Sequence, residues 1–125
     1  MQVAPGGPVG ARGQPSRLVG ARAPRHVCIV RRDLPLGTIA AQLIHAAGAS
    51  SPGALASDTR AIALMVPDEA ALAALAARLE RAAIDHIAIR EPDPPWSGAL
   101  MAIGIPPFFE SRAIRRVLST LPLLR

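Results

Sequence analysis

The sequence predicts an α/β domain, a three-layer sandwich built on a four-stranded mixed sheet in the order β-α-β-α-β-β-α. Three observations predict it. Short aliphatic runs alternate with longer segments of helical periodicity, the pattern of strand–helix–strand crossovers. Two of those runs, Val27 to Val30 and Ala61 to Val66, are apolar throughout, as strands covered on both faces must be. Half of the 125 residues are apolar, enough for one core at this length.

Residues 1–25 carry Arg12, Arg17, Arg22 and Arg25, no acid, and many Pro and Gly residues. Without periodicity such a stretch buries too little surface to offset its ordering entropy, so a disordered basic tail is expected there. The domain is expected over 26–125. Its first strand starts at His26 and ends at the charged Arg31 and Arg32. A loop with Asp33, Pro35 and Gly37 leads into a helix from Thr38 to Ala47, ended by Gly48. Ser51-Pro52-Gly53 marks a loop before the second strand. Pro67-Asp68-Glu69 opens the second helix, with Asp68 as N-cap and Glu69 at the positive helix end. Leu72, Leu75, Ala76 and Leu79 form its apolar stripe. Ile84 to Ile89 alternates as a third strand, and a Pro-rich loop follows from Glu91 to Gly98. Ala99 to Ile105 is a fourth strand, stopped by Pro106 and Pro107. Glu110 to Leu118 is a last helix with a basic side at Arg112, Arg115 and Arg116, and Leu121 to Leu124 is expected to pack back.

Composition narrows the function classes. All fourteen basic residues are Arg, and the net charge is +5. Four of these arginines lie in the tail; the other ten face nine acids. A basic tail adds salt-sensitive attraction to RNA phosphates; the plainer alternative is a solvated leader. Aromatics are limited to Trp96, Phe108 and Phe109, so the core has to be aliphatic. Cys28 stands alone and excludes an intrachain disulfide; a buried inert thiol is expected. No apolar stretch approaches the roughly 20 residues of a membrane span, and no apolar segment follows the N-terminal arginines as in a secretory signal. A cytoplasmic location and no membrane partner are expected. His26, His45 and His86 are far apart in sequence, so no metal is expected, and no glycine fingerprint calls for a cofactor.

Ligands of open α/β sheets bind beyond the carboxyl ends of strands, here Arg31 to Gly37, the turn at Pro67, and Arg90 to Gly98. In the first helix Thr38, Gln42 and His45 follow at i, i+4 and i+7, a polar stripe on an apolar helix. It starts where free backbone N–H groups near Gly37 and Thr38 favour an anion. The competing reading is a capped helix whose Thr38 and Gln42 satisfy local hydrogen bonds.

The stretch Val30, Arg31, Asp33-Leu34, Gly37, Ala40-Ala41-Gln42 and His45-Ala46 resembles the opening strand and helix of type 2 peptidyl-tRNA hydrolases. Ala63 to Glu69 is similar to that family's second strand and helix start, and Ile87 to Glu91 followed by Leu100 to Gly104 to its last two strands. Pro35-Leu36-Gly37 is similar to the loop of the divergent peptidyl-tRNA hydrolase domain-containing branch. The likeness spans 26–125. It implies hydrolysis of the ester in peptidyl-tRNA, with tRNA or peptidyl-tRNA as partner and a homodimer as an allowed assembly. It further implies Glu91, with Asp93, as the group that activates water, and Thr38 with the helix-end N–H groups as the oxyanion site. Arg31, Asp33, Gly37, Gln42, His45, Trp96 and Ser97 are then the substrate-binding candidates, with Trp96 as a stacking platform; the alternatives are a loop anchor over the sheet edge for Trp96, a structural helix-face histidine for His45, and solvated loop acids capping Arg90 for Glu91 and Asp93. The chain departs from the family where it has Thr38 in place of a lysine, Glu91 in place of an aspartate, and Pro92 to Gly98 in place of a Thr-bearing loop. Two functions stay open at this point: the hydrolase, and an RNA- or protein-binding module that keeps the fold and has lost the chemistry.

Overall fold

The computed structural model describes residues 23–125; of the basic tail expected over 1–25, all but the last three residues lie outside the described part. The elements are β1 (Arg25–Arg31), α1 (Leu36–Ser50), β2 (Arg60–Val66), α2 (Glu69–Arg81), β3 (Ile87–Glu91), β4 (Ala99–Phe108) and α3 (Arg112–Leu118). This is the expected β-α-β-α-β-β-α order, closed into one four-stranded mixed sheet of order β2-β1-β4-β3. β1 and β2 run parallel, and β4 runs antiparallel to both β1 and β3. It follows that β1, β2 and β3 all end at one sheet edge, where β4 begins. Three connections meet there: 32–35, 67–68 and 92–98.

Alternation along β1 sorts the core into two layers. Cys28 and Val30 face α1 and pack with Ile39, Ala46, Met101 and Ala102. Val27 and Ile29 face α2 and α3 and pack with Leu72, Leu79, Ile103 and Ile105. The fully buried large side chains are Ile, Leu, Met and Val, as the scarcity of aromatics requires. The segment after α3 returns along the β2 edge, where Met65 N–H donates to Pro122 O at 3.0 Å and Leu124 N–H to Ala63 O at 2.9 Å.

Four elements differ by two or more residues at their boundaries from those expected, each for a local reason. Helix α1 begins at Leu36 rather than Thr38, because Pro35 O already accepts from Ile39 N at 2.9 Å. It also runs through Gly48 to Ser50; Pro52 then forces Ser51 into extended geometry, ψ 139°, and ends it. Strand β3 begins at Ile87 rather than Ile84. Ala83 takes a left-handed φ of 56°, and the N–H groups of Ala83 and Ile84 turn back onto Glu80 O and Leu79 O. That is a Schellman close of α2, with alanine where glycine is usual, so its signal is absent from the sequence. Strand β4 continues past Pro106 and Pro107 to Phe108, pairing Phe108 with Arg25 across a register shift. The prolines are tolerated because β3 pairs with β4 only as far as Gly104, which leaves no ladder on that side. Helix α3 starts at Arg112, with Ser111 Oγ accepting from Ile114 N at 3.1 Å.

Helix α1 approaches β4 closely at Gly104. A Cβ on Gly104 would lie 2.4 Å from Ala46 O and 2.5 Å from Ser50 Oγ. Ser50 Oγ in turn donates to Ala46 O at 2.7 Å and accepts from His26 Nε2 at 2.8 Å. That polar pair is buried, and burial holds the His26 imidazole below its ordinary pKa.

Two stability measurements test this account. Gly104→Ala is expected to destabilise by about 2–3 kcal/mol in urea unfolding, since a helix backbone has to move. A wild-type midpoint for that variant would refute the close-approach argument. Ala83→Gly is expected to stabilise by about 0.5 kcal/mol, the relief of left-handed strain outweighing added unfolded-state entropy; a lower midpoint would refute the cap.

Candidate functional site

Two side-chain clusters occupy the sheet edge where β1, β2 and β3 end. Arg31, the last residue of β1, is buried at 8% exposure although charged. Its guanidinium donates to both carboxylate oxygens of Asp33, at 2.8 and 2.9 Å, and to Leu100 O at 3.1 Å. Glu69 Oε1 lies 3.7 Å from Arg31 Nη1, while Glu69 Oε2 accepts from Leu100 N at 2.8 Å. The Trp96 ring sits beneath the guanidinium, its centroid 5.9 Å from Cζ. Hydrogen bonding to Arg31 holds the Asp33 carboxyl below its usual range, and the same bonds raise the Arg31 pKa. Together they tie the ends of β1 and β4 and the start of α2 into one rigid corner.

The second cluster faces α1. Along β3, Ile89 and Glu91 point to the α1 side, and Glu91 ends the strand. A register shift between Ile89 and Arg90 puts Leu100 opposite Arg90 and Ala102 opposite Ile89, so Met101 is an extra residue in β4. Bulges of this kind bend the strand and re-aim the residues beside it. Glu91 Oε1 accepts from Gln42 Nε2 at 3.0 Å, and Glu91 Oε2 from the Asp93 amide at 3.3 Å. Gln42 is 3% exposed, yet its Oε1 has no hydrogen-bond partner. A buried amide oxygen without a donor is costly. One turn toward the start of α1, Thr38 is half-buried and Gly37 exposed. No side chain caps this helix end and no acid lies in its first turn, so its free N–H groups remain to meet an oxyanion.

The loop after Glu91 is a compact turn. The N–H groups of Trp96 and Ser97 both donate to Asp93 O at 3.0 Å, and Gly98 N–H donates to Glu91 O at 2.6 Å. Gly98 has a φ of 94°, a conformation that closes the turn and that other residues rarely adopt. Trp96 is packed against the α1 layer and Asp93 and Ser97 are exposed.

The fold therefore brings Gln42, Glu91 and the Asp93 backbone into direct contact, with Thr38 and Gly37 one turn away. Arg31, Asp33 and Trp96 form the adjoining corner. The polar stripe expected on α1 divides: Gln42 turns into the protein, while His45 is exposed. The arginines of the domain do not converge into one basic surface. Arg31 is buried and paired, Arg32 donates to Arg125 O, and Arg90 donates to Gly98 O. Arg112, Arg115 and Arg116 belong to α3, on the opposite face of the sheet from α1, and Arg115 pairs with Glu110. The sequence assigned Glu69 only to the start of its helix, because a glutamate in the first helical turn reads the same whether it serves its helix or crosses to another strand. Among the described residues no three His, Cys, Asp or Glu side chains are grouped to hold a metal ion, and no helix is long and apolar enough to cross a membrane.

Neither the protein-family models nor the curated proteins contain a match to this sequence.

The corner makes one prediction. Arg31→Met leaves the Asp33 carboxylate and Leu100 O without their donors, so it is expected to cost about 3 kcal/mol in chemical denaturation. A loss under about 1 kcal/mol would mean that the pair does not hold the corner.

Proposed function

We propose that this chain is an ester hydrolase acting on peptidyl-tRNA in the cytoplasm, with the Gln42–Glu91 pair as its centre. One observation carries the reading: a strand-end carboxylate fixed by a buried glutamine whose other amide atom has no partner, beside an uncapped helix N-terminus. The resemblance of the Arg31–Gly48 stretch to type 2 peptidyl-tRNA hydrolases supports it from the sequence side.

In this reading Gln42 and the Asp93 amide hold Glu91 so that a free lone pair accepts a proton from water. That water attacks the ester carbonyl carbon, and the N–H groups at the start of α1, with the Thr38 hydroxyl, stabilise the negative charge on the carbonyl oxygen. The carbon–oxygen bond to the ribose then breaks, the ribose oxygen takes the proton, and peptide acid and tRNA leave. Trp96 offers a face to the terminal base. Because the arginines do not converge on this edge, recognition rests on the ester end of the substrate more than on the body of the tRNA. The exposed Leu36 and Ile44 of the charge-free helix α1 support association of two copies through that helix.

The test is release of N-acylated amino acid from N-acyl-aminoacyl-tRNA by the purified protein. Cleavage is expected, and Glu91→Gln is expected to lower its rate at least about 100-fold. An unchanged rate would remove Glu91 from the centre. Retained tRNA binding with no cleavage at high protein concentration would leave the binding module as the function.

A further inference from the structure

Away from Glu91, at the sheet end where β1 and β2 begin, an apolar groove of about 400 Å³ opens between α3 and the two strands. Val27, Ile62, Leu64, Phe108, Ile114 and Leu118 give its apolar lining. Ile62 is only half-buried, and Ala61 beside it is exposed. The returning C-terminal segment pairs with β2 only along Ala63–Met65. The first half of β2, Arg60 to Ile62, therefore has no strand on its outer side among the described residues. An apolar groove and an open strand edge thus meet at one corner.

The chain itself leads to this corner. Arg25 lies on the rim of the groove, and Pro24 O accepts from Arg60 N at 2.8 Å, so the peptide leaves the fold beside the start of β2. The residues just before are Arg17-Leu-Val-Gly-Ala-Arg22, in which Leu18 and Val19 are adjacent large aliphatic side chains. From Val19 to Arg25 the chain spans up to about 20 Å, and Gly20 within it allows reversal.

We propose that this groove receives the chain's own N-terminal segment, with Leu18 and Val19 as the side chains that enter it. The segment has no core of its own to build, and the groove supplies the second surface. Covalent attachment helps: a tether this short presents the segment at an effective concentration on the order of millimolar, so contacts too weak to hold a free peptide suffice. Docking keeps the basic segment at the end of the sheet opposite Glu91 and covers one side of α3.

The test uses the full chain with methyl-labelled Leu, Val and Ile. Intramolecular nuclear Overhauser effects are expected between the methyls of Leu18 and Val19 and those of Ile62, Leu64 or Ile114. Their absence overturns the proposal, and so does finding them only between differently labelled chains, which would give the groove to a second copy. In the full chain, Leu18→Asp with Val19→Asp should speed amide exchange across Ile114–Leu118 at least about threefold. Val3→Asp with Val9→Asp, in the same basic segment, should leave it unchanged. No acceleration with the first pair, or equal acceleration with the second, also overturns it. The outcome is independent of whether Glu91 hydrolyses an ester.

Discussion

The approach of α1 to β4 over Gly104 governs the rest of this structure. A helix seated on a glycine lies closer to the sheet than one seated on any side chain, and here a single Cβ would meet the helix backbone itself. The approach is reinforced by small residues on both sides, Ala46 from the helix and Ala102 from the strand, and by the buried bonds from His26 through Ser50 to Ala46. With its last turns held this low, α1 carries Gln42 down to the height of the β3 end, where it meets Glu91. The candidate site is thus set by a packing contact three turns away from its oxyanion end.

The Arg31 corner supplies the complementary constraint. A guanidinium buried in this way would be costly alone. It is matched by a bidentate carboxylate, a backbone carbonyl and a second carboxylate nearby, so that the end of β1 is tied to the starts of β4 and α2. This accounts for a charged residue at the end of an otherwise apolar strand without giving it a free charge for a substrate. The distinction bears on function: the arginines at this edge are engaged within the fold, and the groups left with hydrogen-bonding capacity toward a ligand are Glu91 and the first N–H groups of α1. An edge of this character suits a neutral ester and its developing oxyanion better than a polyanion held by charge alone.

What was legible in the sequence followed from periodicity and composition. The apolar runs at Val27 and Ala61, the stripe of α2 and the turn residues around Pro67 act within a few residues of one another. They specify element type and order, and Asp68 caps its helix as its position predicts. Boundaries went astray where a residue served in an uncommon role: alanine in the left-handed cap at Ala83, glycine inside a helix at Gly48, and prolines within a strand at Pro106 and Pro107. In each case a neighbour distant in sequence, or the lack of one, decided what the residue could tolerate.

The same division separates the two halves of the site. The sequence by itself determined that Asp33, Gln42 and Glu91 would fall near strand ends or on the first helix, because the connections after parallel strands return to one edge. Only the tertiary structure decided which of them touch. Helical spacing groups Thr38, Gln42 and His45, but the depth of α1 on the sheet turns Gln42 inward and leaves His45 exposed. Strand alternation places Glu91 on the α1 side, and the extra residue at Met101 sets the pairing of β4 beside it. Proximity along the chain is a local property. Contact between Gln42 and Glu91, forty-nine residues apart, depends on helix height and strand register, which the packed core sets as a whole.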